Sequence, residues 1–227
     1  MEDQKTLDGR HARKKAFAEW NIEKELPVHI GSYSLERVDE QDGRVYKAFR
    51  WKDKKSGWEI RAVFDEETAD YMIKVDLKFI TCTQVEVITP DFERFKKNVR
   101  GLTPDMIEKE LIRRSCNSVL IKNSGFVNWN YEKLLPPRIE NYERVIEPKS
   151  PINGLNGSYI IAAYQCNERE SAMLFFYNVY REEYYGEMRS KGIPLIRHEY
   201  DAKTVNELAK EISENLQKDL HELYERS

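Results

Sequence analysis

The stretch from 71 to 88, YMIKVDLKFITCTQVEVI, constrains the fold most, because its polarity alternates residue by residue. Ile73, Val75, Leu77 and Phe79 fall on one side of an extended chain, while Lys74, Asp76 and Lys78 fall on the other. A strand with one apolar and one polar face belongs to an antiparallel sheet laid against a core, not to the doubly buried strands of a βαβ fold. The alternation slips near Thr81-Cys82-Thr83, which predicts a bulge or a strand break there.

The same period of two recurs upstream. SYSLERV sets Tyr33, Leu35 and Arg37 against Ser34, Glu36 and Val38. Gln41-Asp42-Gly43 follows as a tight turn, then RVYKAFRWK, the turn DKKSG, and WEIRAVF as a further strand. Helix signals bracket these strands. Residues 10 to 25 are good helix formers with Ala12, Ala16 and Trp20 on one face and Phe17 beside them, stopped by Pro27. Thr89-Pro90-Asp91 and Thr103-Pro104-Asp105 both read as helix starts, with Gly101 ending the first helix. SVLIKNSGFVNWNYE reads as a short hairpin.

In the last third, SYIIAAYQC and SAMLFFYNVY are apolar strands around the turn NERE, and IPLIRHEY is a strand after Gly192. Val205, Leu208, Ile212, Leu216, Leu220 and Leu223 then form one apolar stripe of a long C-terminal helix. The expected class is therefore α+β, antiparallel sheets with helices packed on one face. One domain over 1–227 is possible. The alternative is an N-terminal part over 1–134, a Pro/Asn/Gly-rich connector over 135–156, whose 139–146 segment can still form a strand, and strands plus helix over 157–227. Gly31-Ser32-Tyr33 and Gly157-Ser158-Tyr159 raise the question of two similar halves, each of strands followed by helix. Superposition of 31–100 on 157–225 decides it.

Composition excludes several functions. A net charge of −3 gives no global attraction to nucleic acid or anionic membrane. Cys82, Cys116 and Cys166 are widely spaced with no CxxC, as in reduced thiols of a cytoplasmic protein. The N-terminal residues lack the apolar run of a secretory signal, and no apolar stretch is long enough to span a bilayer, so a soluble protein is expected. No Walker A loop, GxGxxG or GxSxG occurs, and no cofactor is expected. HELYE at 221–225 lacks the second histidine of a zinc motif. The basic run Arg10, His11, Arg13, Lys14 and Lys15 reads as a solvated helix start.

Two functional readings remain. The preferred one is a non-enzymatic interaction protein of inhibitor, immunity or adaptor type, monomer or homodimer, binding a protein partner. Its surface would be a sheet face or the aromatic and charged stretch Tyr180, Arg181, Glu183, Tyr184, Tyr185, Glu187 and Arg189. The alternative is a metal-dependent nuclease or phosphodiesterase. There Asp65 and Asp76 would hold a divalent cation and Lys78 would polarise the attacking water. Cys166 with His198 is a weaker nucleophile and base pair, since only the fold could bring them together.

Overall fold

A computed structural model describes residues 4–114, 119–154 and 157–227; Cys116 lies outside them. The chain divides into two compact units, the first ending at Glu108 and the second beginning at Lys109, with Lys78–Ile80 counted in the second. The class is α+β with antiparallel sheets. Among the described residues, no helix is long and apolar enough to cross a membrane.

In the first unit, α1 (Gln4–Glu19) and the single turn α2 (Ile22–Glu25) precede a six-stranded meander. Its strands are β1 (His29–Ile30), β2 (Tyr33–Asp42), β3 (Val45–Asp53), β4 (Glu59–Asp65), β5 (Asp70–Asp76) and β6 (Thr81–Thr89), each beside the next. The helix expected over 10–25 thus breaks at Trp20-Asn21. Its buried face is Phe17 and Trp20, while Ala12 is exposed. Those two rings meet Phe49, Phe92 and Phe95, and Phe17 also meets Tyr71, so an aromatic cluster sets the helix orientation. The slip expected at 81–83 is a hairpin turn over 77–80.

The last helix of this unit corrects another expectation. Asp91 caps α3 (Phe92–Met106) by accepting from the Arg94 amide at 2.7 Å. No second helix starts at Thr103. α3 runs through Gly101 and Pro104 and widens directly afterwards into a π-helix over Ile107–Ile112. A proline inside a helix costs about 3 kcal/mol. Burying Phe95, Val99 and Ile107 on one stripe returns roughly 1.5–3 kcal/mol each, and the tertiary stripe wins.

In the second unit, 3₁₀ turns over Val119–Ile121 and Phe126–Asn128 stand where the sequence suggested a hairpin. Its sheet contains β7 (Arg138–Ile139), β8 (Tyr142–Ile146), β9 (Ile152–Asn153), β10 (Ser158–Cys166), β11 (Ser171–Asn178), β12 (Glu183–Ser190) and β13 (Ile193–Ala202). The connector segment therefore carries β7, β8 and β9, of which the strand allowed over 139–146 is close to β8. α4 (Val205–Arg226) closes the unit with a capping box at Thr204 and Glu207. Leu208, Ile212, Leu216, Leu220 and Leu223 are all buried on that helix, as the stripe predicted.

The two units are one plan used twice. Phe17, Trp20, Asn21, Glu23, Lys24, Leu26, Pro27, Ile30 and Tyr33 recur as Phe126, Trp129, Asn130, Glu132, Lys133, Leu135, Pro136, Ile139 and Tyr142. Leu26 N–H donates to Ile22 at 2.8 Å, and Leu135 N–H to Tyr131 at 2.7 Å. Leu35 N–H donates to Val28 and Arg144 N–H to Pro137, at 2.8 and 2.9 Å. Beyond an insertion of four residues, 45–107 and 158–220 correspond without a gap.

The sheet registers carry that correspondence. Phe49 faces Ala62 and Ala162 faces Phe175; Phe64 faces Tyr71 and Tyr177 faces Tyr184. The ladder slips between Lys47 and Phe49 and, at the equivalent place, between Ile160 and Ala162. It slips again between Tyr71 and Ile73 and between Tyr184 and Gly186, leaving Tyr71 opposite Thr89 and Tyr184 opposite Ala202. Bulges are specific local features, so two shared bulges are strong evidence of one scaffold. The helix caps Asp91 and Thr204 also correspond. The two Gly-Ser-Tyr copies do not: Gly31–Tyr33 matches Glu140–Tyr142, and Gly157 matches Arg44. The tripeptide is coincidence, although the halves are similar.

The units differ on the sheet face away from their helices. In the first it is a charged ladder, with Arg50 and Lys52 on Glu59 and Arg61 on Asp76. In the second, Ile160, Ala163, Leu174 and Phe176 occupy this face and are buried, with Phe176 stacked on Tyr185 at 4.7 Å.

Candidate functional site

Backbone geometry places a four-residue turn at the same pole of each unit. In the first it is Glu66–Ala69, between β4 and β5; in the second it is Val179–Glu182, between β11 and β12. Glu66 N–H donates to the Arg44 carbonyl and Val179 N–H to the Gly157 carbonyl, both at 2.9 Å. Each turn closes on a residue of positive φ, Ala69 at 59° and Glu182 at 51°. Each is capped from its own strand: Asp65 Oδ1 accepts from the Glu67 amide, and Asn178 Oδ1 from the amides of Tyr180 and Arg181, all at 3.0 Å. Short polar side chains favour such turns because they satisfy backbone donors locally.

At the second pole Tyr180 is 79% exposed. Its ring lies against Gly157, where a Cβ would approach within 2.4 Å, and Gly157 has φ 70°, a conformation that favours glycine. Arg181 and Lys203 flank the carboxylate of Glu183 at 3.3 and 3.1 Å. The Lys203 hydrogen bond holds that carboxyl below its usual pKa.

The rest of the 180–189 segment is structural. Tyr184 is buried in the core of the unit and donates its hydroxyl to the Ser124 carbonyl, so it is no part of a docking surface. Burial pushes its phenol well above the usual value. Tyr185 donates to Ser158 at 3.0 Å and stacks on Phe176. Arg189 pairs with Glu187 and donates to the Phe79 carbonyl at 3.1 Å. Alternation along β12, with Tyr184 inward and Glu183 outward, splits the sequence-level cluster between core and surface.

At the first pole, Arg10 grips Glu66 through Nε and Nη2 at 2.7 and 2.9 Å, and Arg13 adds Nη2 at 2.7 Å. Arg10 and Arg13 are three residues apart on α1 and so share a face. Both are mostly buried, with 17% and 19% side-chain exposure, so the basic run is only partly a solvated helix start. The Arg10 hydrogen bond holds the Glu66 carboxyl below its usual pKa.

The alternative catalytic residues are not brought together. Asp76 lies opposite Glu59, and Asp65 is six residues further along β4, about 20 Å away at strand spacing. Asp76 bonds Arg61 at 2.6 Å, Asp65 caps its turn, and Lys78 is an exposed turn residue with φ 74°. No group of three or more His, Cys, Asp or Glu able to hold a metal occurs among the described residues. Cys166 and His198 lie three strand spacings apart across the sheet, about 14 Å, and five residues apart along it, about 16 Å more, with Cys166 buried and His198 exposed beside Asp201. His221 of HELYE is exposed beside Glu140.

Comparison of the chain with protein-family models, with curated proteins and with solved structures finds no match.

Proposed function

We propose that the chain is a non-enzymatic protein-interaction module that docks a protein partner through the Tyr180–Glu183 turn of the second unit. The observation that carries this reading is Tyr180 itself, a 79%-exposed aromatic that lies over Gly157 on a turn whose backbone Asn178 caps. Tyrosine and arginine dominate binding hot spots because they combine large contact area with directed hydrogen bonds. A turn already ordered by its own hydrogen bonds loses little entropy on binding. The adjacent Arg181 fits a partner surface with an apolar socket beside an acidic group.

The test is quantitative affinity capture with the wild type, Tyr180→Ala, Arg181→Ala and a distant surface control, Lys15→Ala. The reading expects proteins retained by the wild type and the control to be lost from both turn variants, with unchanged circular dichroism. Retention of the same proteins by Tyr180→Ala and Arg181→Ala contradicts it.

A further inference from the structure

The first pole opens into a cleft of about 610 Å³, lined among others by Arg10, Arg13, Arg44, Phe64 and Glu66. Two arginines converge there on one carboxylate, and a third stands at the rim. The Arg13 guanidinium lies 4.3 Å from the centre of the Phe64 ring, and its Nε is buried without a hydrogen-bond partner among the described residues. Guanidinium forks of this kind match the oxygens of carboxylates and phosphates, to which they can bond in pairs.

The second unit shows that this cluster is not needed to build the pole. Glu66 corresponds to Val179 and Arg44 to Gly157, yet the backbone bond between those positions has the same 2.9 Å length in both units. At that pole the ring of Tyr180 covers Gly157. One scaffold therefore carries an open arginine cleft in one copy and a closed aromatic cap in the other.

We infer that the arginine cleft of the first unit is a binding site for an oxyanion, a phosphate or carboxylate group, with Glu66 as an internal carboxylate that occupies the arginines until the ligand displaces it. The site stands apart from the Tyr180 turn, and neither reading depends on the other. An internal competitor makes a distinctive prediction. Neutralising Glu66 removes the charge that holds it on the arginines and competes with an incoming anion, so affinity must rise.

The experiment is calorimetric titration of the full chain with inorganic phosphate and, separately, with citrate, at matched ionic strength. Saturable binding by the wild type is expected. Glu66→Gln should bind at least tenfold more tightly, and Arg10→Gln with Arg13→Gln should lose binding. Phosphate saturating without citrate assigns phosphate esters, and the reverse assigns carboxylates. Arg44→Gln changes only the rim and should weaken wild-type binding several-fold, which keeps the test valid if Glu66→Gln does not fold. No saturable heat from either anion with the wild type, or unchanged affinity in Arg44→Gln, overturns the inference and leaves the cluster as a clasp for α1.

Discussion

The indole Nε1–H of Trp51 donates to the Pro27 carbonyl at 2.9 Å, spanning from β3 to the segment just ahead of β1. Its counterpart in the second unit is the Tyr164 hydroxyl, which donates to the Pro136 carbonyl at 2.6 Å. Different side chains make the same bond at equivalent positions, each satisfying a proline carbonyl. Burial raises the Tyr164 phenol above its usual pKa, so it remains a donor throughout the neutral range.

Trp51→Phe and Tyr164→Phe each remove that donor. A net loss of about 1 kcal/mol is expected from each, and more for Trp51→Phe because the smaller ring also leaves a cavity. Denaturant unfolding measures both, and unchanged midpoints contradict the assignment.

Tyr180 and Tyr184 should behave oppositely although only four residues apart. Tyr184→Ala empties a core site and should cost roughly 3–5 kcal/mol, as large-to-small aromatic changes do. Tyr180→Ala should stay within about 0.5 kcal/mol, since its ring is exposed. Equal effects would place the two rings in similar surroundings, against the described burial.

Glu66 contributes an acid-sensitive part of the stability. Its native pKa is lowered by Arg10, so the contribution is fully present above the ordinary value of 4.5 and is lost as pH falls through the lower native value. Glu66→Gln should flatten the unfolding free energy in that acid window. A slope identical to wild type below pH 4.5 would contradict the pairing.

Asp219 ties α4 to β13. It is 2% exposed and accepts from Arg197 Nη2 and from the Tyr200 hydroxyl, both at 2.6 Å. Asp219→Ala leaves both donors unmet and should cost roughly 1–3 kcal/mol. The loss stays below that of a fully buried pair because Arg197 keeps 23% exposure. A neutral effect in thermal unfolding would rule out the clasp.

The long strands, the hairpins of the first sheet and α4 were legible because each rests on a local period, two for a half-buried strand and 3.6 for the stripe from Val205 to Leu223, whereas the hairpin read into 118–132 rests on no such period. The run through Pro104 was not, because a tertiary stripe overrode a local start signal. The repeat was legible too, in the spaced match between Phe17–Pro27 and Phe126–Pro136, but a shared Gly-Ser-Tyr drew attention to the wrong register. Past that motif, 45–107 and 158–220 share only Tyr46, Tyr71, Lys78, Ile80, Glu86 and Lys97 with their counterparts. A sheet position accepts many side chains of suitable polarity, so shared bulges leave little trace in the letters. The candidate cluster at 180–189 mixed core with surface because contiguous residues of a strand point to opposite faces. The arginine cleft joins α1, the β2–β3 turn and the β4–β5 turn, a juxtaposition that no local pattern announces.

The central claim is one scaffold present twice, and its shared second bulge is the most direct thing to measure. Cross-strand nuclear Overhauser contacts in isotope-labelled protein should pair Ile73 with Gln84 but Tyr71 with Thr89, and likewise Gly186 with Arg197 but Tyr184 with Ala202. An unbroken ladder in either unit, with Tyr71 opposite Glu86 or Tyr184 opposite Glu199, would contradict it.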